Sequence, residues 1–248
     1  MLKVRVNLQP AYILHSRPYR DSSAILELFT PEHGRVSAVA RGARRRTRGG
    51  SASALLQLFT PLLLSFSGRG ELKNLNATEA AGAAIRLRGD KLFSGMYVNE
   101  LLVRLLHRHD PHPRLFAAYG NTLEALAGNG GLEVALRGFE LVLLDELGYS
   151  FDLRLDGYSG DEIREEAWYH YHGEYGLVER GDLVDPERPA YAGSDLLAIS
   201  RGELGGEAAD TAKRLLRNAL ASHLGDAPLN ARDLFRSRRL ARARDDSE

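Results

Sequence analysis

The sequence predicts an α+β protein: an N-terminal five-stranded barrel packed on an α-helical domain that carries a small inserted loop-rich β region. Three observations predict it. Short apolar segments separated by turn residues fill the first eighty residues, helical periodicity takes over near residue 82, and it breaks again between residues 150 and 192.

The strand-like segments are Ala11 to His15, Ala24 to Phe29, Arg35 to Ala40, Leu62 to Phe66 and Glu71 to Leu75. Turn signals punctuate them at Arg17-Pro18, Pro31-Glu32-His33-Gly34, Gly49-Gly50 and Gly68-Arg69-Gly70. Glu32-His33-Gly34 between two apolar runs predicts a hairpin with Gly34 at a position of positive φ. Five short strands in so short a stretch suit a small closed barrel. The OB-fold is the commonest five-stranded example, and an SH3-like barrel gives a similar pattern.

Helical spacing follows in three groups. They run from Leu92 through Tyr97 to Leu106, from Leu115 through Tyr119 to Leu126, and from Leu132 through Phe139 to Leu147. Gly148 is placed to cap the third helix, which is apolar nearly all round and predicts a central buried helix. Residues 150–192 combine acidic pairs with the aromatic run Trp168-Tyr169-His170-Tyr171-His172, and Gly173 and Gly176 bracket a hairpin turn. Helical patterning returns at Asp210 to Leu224, and a short basic helix is expected over 230–243 after Pro228. The expected domains are therefore a barrel over 1–81, helices over 82–149 and 195–248, and an insertion over 150–194.

Composition narrows the function. The 248 residues hold no cysteine, which removes disulfides and thiolate metal sites and fits a cytoplasmic protein. Apolar runs are too short to span a bilayer, and the charged N-terminus, Met1-Leu2-Lys3-Val4-Arg5, is not that of an export signal. Net charge is zero but polarised. Residues 1–80 hold 12 Lys/Arg against 5 Asp/Glu, residues 213–244 hold 9 against 2, and residues 81–212 hold 12 against 23. Clustered positive charge attracts a polyanion whatever the total.

The densest feature is Arg41-Gly42-Ala43-Arg44-Arg45-Arg46-Thr47-Arg48, with five arginines in eight residues between two expected strands. The planar guanidinium gives paired, charge-assisted bonds to phosphate. A loop neutralising four phosphates would give a log–log salt slope of roughly −3 to −4. A second basic group, Arg232, Arg236, Arg238, Arg239, Arg242 and Arg244, either extends that surface or docks on the acidic middle of the chain. Arg137, in an otherwise apolar helix, either forms an internal pair with Glu140 or Asp145 or receives a peptide carboxylate.

Catalytic signals are sparse. His107, His109 and His112 straddle Asp110-Pro111 without zincin spacing, and His170 and His172 share a strand face. The acidic pairs at 161–162 and 165–166 fit a solvated face, and Gly157-Tyr158-Ser159-Gly160 lacks the glycine spacing of a nucleophile elbow. No enzyme, cofactor or metal is expected.

Several motifs, taken in order, resemble the RecO family. They are His15-Ser16-Arg17-Pro18-Tyr19, Gly34-Arg35-Val36, Ala40-Arg41-Gly42-Ala43-Arg44, Phe59-Thr60-Pro61-Leu62 and Gly68-Arg69-Gly70-Glu71-Leu72-Lys73. The series continues through Tyr97-Val98-Asn99-Glu100-Leu101-Leu102, Leu136-Arg137-Gly138-Phe139-Glu140 and Leu147-Gly148-Tyr149 to Leu229–Phe235. The resemblance implies an OB-fold, binding of single- and double-stranded DNA, and annealing of strands coated with single-strand-binding protein (SSB). It also implies partnership with RecR, and in many settings RecF, in loading RecA. DNA contacts are then expected at Arg35, Arg41, Arg44, Arg45, Arg46, Arg48 and Lys73, and the SSB C-terminal tail at Leu136, Arg137 and Phe139. Some members carry a four-cysteine zinc site in the insertion. This chain has no cysteine, so no zinc is expected, and the region is either held by Tyr158, Trp168, Tyr169, Tyr171 and Tyr175 or loosely ordered. An OB-type RNA-binding or translation-associated factor is the alternative, as is a nuclease or phosphatase, against which the absence of a convergent carboxylate or histidine site argues.

Overall fold

Five strands carry the alternation that builds the barrel: β1 (Val4–Tyr19), β2 (Ser23–Thr30), β3 (Gly34–Ala40), β4 (Leu62–Gly68) and β5 (Leu72–Ala80). The structure, a computed structural model, describes residues 4–44, 55–181, 188–225 and 227–231. The strands close in the order β1-β2-β3-β5-β4, with β3 and β5 parallel and the other pairs antiparallel. Alternate residues Ala24, Leu26 and Leu28 of β2 and Val36, Ala38 and Ala40 of β3 join Ile13, Leu62, Leu64 and Phe66 in the barrel core. Gly34 has φ +56°, as the hairpin requires, and its carbonyl accepts a hydrogen bond from Thr30 Oγ1 at 3.0 Å.

The segment Ala11 to His15 is only the centre of β1, which is continuous over 16 residues. Register shifts between Val6 and Gln9 and between Ile13 and His15 let one strand pair with β4 at its start and β2 at its end. Bulges of this kind break the two-residue period, so the alternation shows only between them.

Two helices, α1 (Asp90–Leu105) and α2 (Pro113–Ala127), cover the outer face of β1 and β2. Tyr12 meets the edge of Tyr119 at 4.9 Å, and Phe29 meets Phe116 at 5.5 Å. Both faces of β2 are therefore buried, which explains its near-continuous burial. Asn99 of α1 lies in this layer, donating to the Leu14 carbonyl and accepting from the Tyr119 hydroxyl. The Glu100 carboxylate accepts from the backbone N–H groups of Asn230 and Ala231, both at 2.9 Å, and Arg104 donates to the Pro228 carbonyl at 3.1 Å. The C-terminal segment is thereby fixed to α1. Its arginines from Arg232 onward lie outside the described residues.

The chain divides into two compact units, one running to Asn129 and resuming at Pro228, the other spanning Gly130–Ala227. The second unit contains α3 (Leu132–Glu146), a three-stranded sheet and two further helices. The sheet strands are β6 (Trp168–His172), β7 (Gly176–Glu179) and β8 (Ala190–Ala192), in the order β7-β6-β8. The helices are α4 (Gly193–Ser200) and α5 (Gly206–Leu224). Gly148 closes α3 with φ +77°, donating to the Asp145 carbonyl while Tyr149 N–H donates to that of Leu144, the paired bonds of a Schellman turn.

Three expectations need correction here. Helix α3 is not buried all round: Val134 is 48% exposed, Gly138 is exposed, and Leu141 and Val142 are half-buried. The insertion is not held by its aromatics as a set, because Tyr158, Trp168 and Tyr175 are 74%, 50% and 46% exposed. Tyr169, Tyr191, Leu177, Leu153 and Ile163 form its core instead, against Leu196 and Ile199 of α4 and Ala212 and Leu215 of α5. The helix expected from Asp210 starts at Gly206, and the short α4 and β8 were not expected from the sequence.

Candidate nucleic-acid interface

One end of the barrel opens into a groove of about 640 Å³. Its walls come from the β1–β2 turn (Tyr19, Arg20), the end of β3 and the residues after it (Val39, Arg41, Gly42), and the start of β5 (Leu72, Lys73, Asn74). The parallel pairing of β3 with β5 brings the last two walls together, with Ala38 opposite Lys73 and Val39 opposite Asn74. Gly42 turns with φ +68°, and Arg44 N–H donates to the Ser22 carbonyl at 3.0 Å, pinning the segment after β3 to the β1–β2 turn.

Among the described residues, three cations line this groove and no carboxylate does. Arg41 is exposed and donates to Asn74 Oδ1 at 3.2 Å, which directs its guanidinium without neutralising it. Arg20 holds an unusual φ of +53°, and its guanidinium lies 5.1 Å from the Tyr19 ring centroid. Lys73 is more constrained: it is 9% exposed and its Nζ donates to the Gly70 carbonyl at 2.8 Å. Leu72, 40% exposed, adds an apolar surface beside them. Fixed cations beside an aromatic ring suit a chain of phosphates bearing flat bases.

Of the expected DNA-contacting residues, Arg41 and Lys73 line this groove, and Arg44 is exposed on the segment tied to its turn. Arg45, Arg46 and Arg48 lie outside the described residues. Arg35 is engaged elsewhere. Its Nε donates to the Leu106 carbonyl at 3.1 Å and its Nη1 pairs with Glu27 at 3.3 Å, while Ser37 and Arg108 also meet that carboxylate. Burial pulls the Arg35 guanidinium below its usual range, and Glu27 opposes that pull. Tyr19 and Arg20 were missed by sequence reasoning. Their signal was an aromatic beside an arginine within a turn.

On α3, Leu136, Arg137 and Phe139 are 5%, 5% and 2% exposed. Arg137 Nη2 pairs with Glu140 Oε1 at 3.0 Å and reaches Glu133 Oε2 at 3.9 Å, and Glu133 also accepts from Lys213 of α5. The i,i+3 pair offered by the sequence thus forms. Arg137 Nε has no hydrogen-bond partner among the described residues.

Among the described residues, no group of three or more His, Asp or Glu side chains is placed to hold a metal ion. His109 sits at φ +63°, and burial, with Lys73 and Arg108 nearby, holds its imidazole below the usual range. No helix among the described residues is long and apolar enough to cross a membrane.

The strand order and the cationic groove define an OB-like barrel protein with a helical C-terminal portion. Comparison with known proteins agrees in both halves. Residues 5–84 match the family described as "Recombination protein O N terminal" and residues 86–233 that described as "Recombination protein O C terminal". The chain is 50% identical to the DNA repair protein RecO of Methylococcus capsulatus over 94% of each chain. It is 47% identical to that of Alkalilimnicola ehrlichii, over 94% of this chain and 92% of the relative. It is also 47% identical to that of Pseudomonas putida, over 93% and 97%. The chain belongs to the RecO family.

Proposed function

We propose that this protein is a non-enzymatic mediator of DNA repair and recombination that binds DNA through its barrel groove and anneals complementary strands coated with SSB. The observation that carries the reading is the groove itself, with Arg20, Arg41 and Lys73 on its walls and, among the described residues, no carboxylate beside them. Screening the phosphates of two strands lowers their mutual repulsion and needs no bond-breaking group. Because such contacts do not read bases, sequence preference is slight.

The second element of the proposal is recruitment through the acidic, aromatic-ended tail of SSB on α3. Arg137 Nε has no hydrogen-bond partner among the described residues in a side chain that is 5% exposed, and Val134, 48% exposed one turn before it, leaves an apolar side chain uncovered on the same helix. In this reading Leu136 and Phe139, being buried, hold the helix that presents the site. Weak contacts to DNA and to SSB on one nucleoprotein target reinforce each other through effective concentration. RecR, with RecF in some settings, is the expected partner for handing the strand to RecA, in the cytoplasm.

Fluorescence anisotropy with a labelled single strand, titrated across salt concentrations, tests the groove. Wild-type affinity falling steeply with salt, and Arg20→Ala/Arg41→Ala weakening it, supports the proposal. Undiminished binding by the double variant removes the groove from it.

A further inference from the structure

We propose that the Tyr158–Tyr175 end of the insertion is a docking surface for an arginine- or lysine-rich segment of a partner polypeptide. Tyr158 is 74% exposed and Tyr175 46% exposed, yet their rings meet edge to face at 5.6 Å, and Tyr175 also contacts the His172 ring at 5.0 Å. Large aromatic rings gathered at the surface contribute little to the core beneath them and favour an interface.

The rings are held on two rigid turns. The Asp156 carboxylate accepts from the N–H groups of Tyr158 and Ser159 at 2.8 and 2.9 Å, and from that of Glu179 on β7. Gly157 N–H donates to the Leu177 carbonyl at 2.7 Å, and a Cβ at Gly157 would lie 1.5 Å from the Tyr175 carbonyl oxygen. The glycine is what allows the turn bearing Tyr158 to lie against the hairpin bearing Tyr175. A surface fixed in this way loses little freedom when a partner binds.

Charge selects the occupant. Asp161, Glu162 and Glu174 flank the two tyrosines in sequence, and among the described residues none of them forms an ion pair. Over residues 150–192 the chain holds eleven Asp/Glu against four Lys/Arg. Aromatic faces attract cations, and the unpaired carboxylates add to that attraction while repelling phosphates. Nucleic acid, an acidic peptide and a second copy of the same acidic end are all disfavoured. A guanidinium- or ammonium-bearing segment is complementary on both counts.

The test uses the full chain and a fluorescein-labelled peptide of alternating arginine and glycine, with a glutamate–glycine peptide as control, read by anisotropy at low salt. The arginine peptide binds and the control does not. Tyr158→Ala/Tyr175→Ala and Asp161→Asn/Glu174→Gln each weaken binding about tenfold. Tyr158→Phe, which keeps the ring, retains binding, and Arg20→Ala/Arg41→Ala leaves it unchanged. No binding of the arginine peptide, or equal binding by the aromatic double variant with an unaltered circular dichroism spectrum, overturns the proposal. So does a double variant that loses DNA affinity or self-association while still binding the peptide.

Discussion

The Tyr119 hydroxyl donates a 2.7 Å hydrogen bond to Asn99 Oδ1, and Asn99 Nδ2 passes the connection on to the Leu14 carbonyl at 2.9 Å. One buried amide thereby joins α2, α1 and β1. Burial, with Tyr12 adding to it, holds the Tyr119 phenol well above its usual range, which keeps the hydroxyl protonated as the donor at neutral pH. Asn99→Leu leaves a buried hydroxyl and a buried carbonyl without this partner and is expected to cost about 2–3 kcal/mol. Tyr119→Phe removes one bond and costs about 1 kcal/mol. Urea unfolding of both variants checks the order.

Gly34 is required twice over. Its φ of +56° is unfavourable for other residues, and a Cβ there would lie 1.9 Å from the backbone oxygen of Asp110. Since that neighbour is backbone, it cannot rotate aside, and Gly34→Ala is expected to cost about 3 kcal/mol or more. Thermal unfolding should show the loss even though the substitution adds only a methyl group.

Asp156 is expected to make the fold around it sensitive to acid. Burial disfavours its charge, but the N–H groups of Ser159, Glu179 and Tyr158 outweigh that and hold its carboxyl below the usual carboxylate range. A folded-state value below the unfolded one stabilises the fold above the unfolded value, and that stability is lost as pH falls through the folded value. Asp156→Asn should lower stability by about 1–3 kcal/mol at neutral pH and flatten the acid side of the stability profile. Denaturant melts between neutral pH and the acid range supply the comparison.

For the groove, the salt dependence is more diagnostic than affinity alone. If Arg20 and Arg41 each contact a phosphate of a single strand, Arg20→Ala/Arg41→Ala should reduce the log–log salt slope by about 1.4. An unchanged slope with weaker binding would assign their effect to folding rather than to DNA.

The barrel was legible because its strands read as short apolar runs and glycine or proline marks their turns, as at Gly34 and Gly68. The bulges in β1 hid its length, and β8 and α4, at three and eight residues, are too short to show a period. Helical spacing offered Arg137 either Glu140 or Asp145, and the i,i+3 pair with Glu140 forms, whereas the exposure of Val134 on α3 depended on what packs against that helix. In the groove, arginine density pointed to Arg41, but Tyr19 and Arg20 join it only because β1 and β2 turn back beside β3. Arg35 looked equivalent in sequence. Its place on β3 beside Glu27 of β2 gives it an internal partner instead.

The most direct test of the mediator reading is annealing of complementary strands precoated with SSB, comparing wild type with Arg20→Ala/Arg41→Ala and Arg137→Ala. The account predicts that wild type anneals coated strands and that the groove variant loses annealing of bare and coated strands alike. Arg137→Ala should anneal bare strands but fail on coated ones. A wild-type protein that anneals neither substrate would contradict the account at its centre.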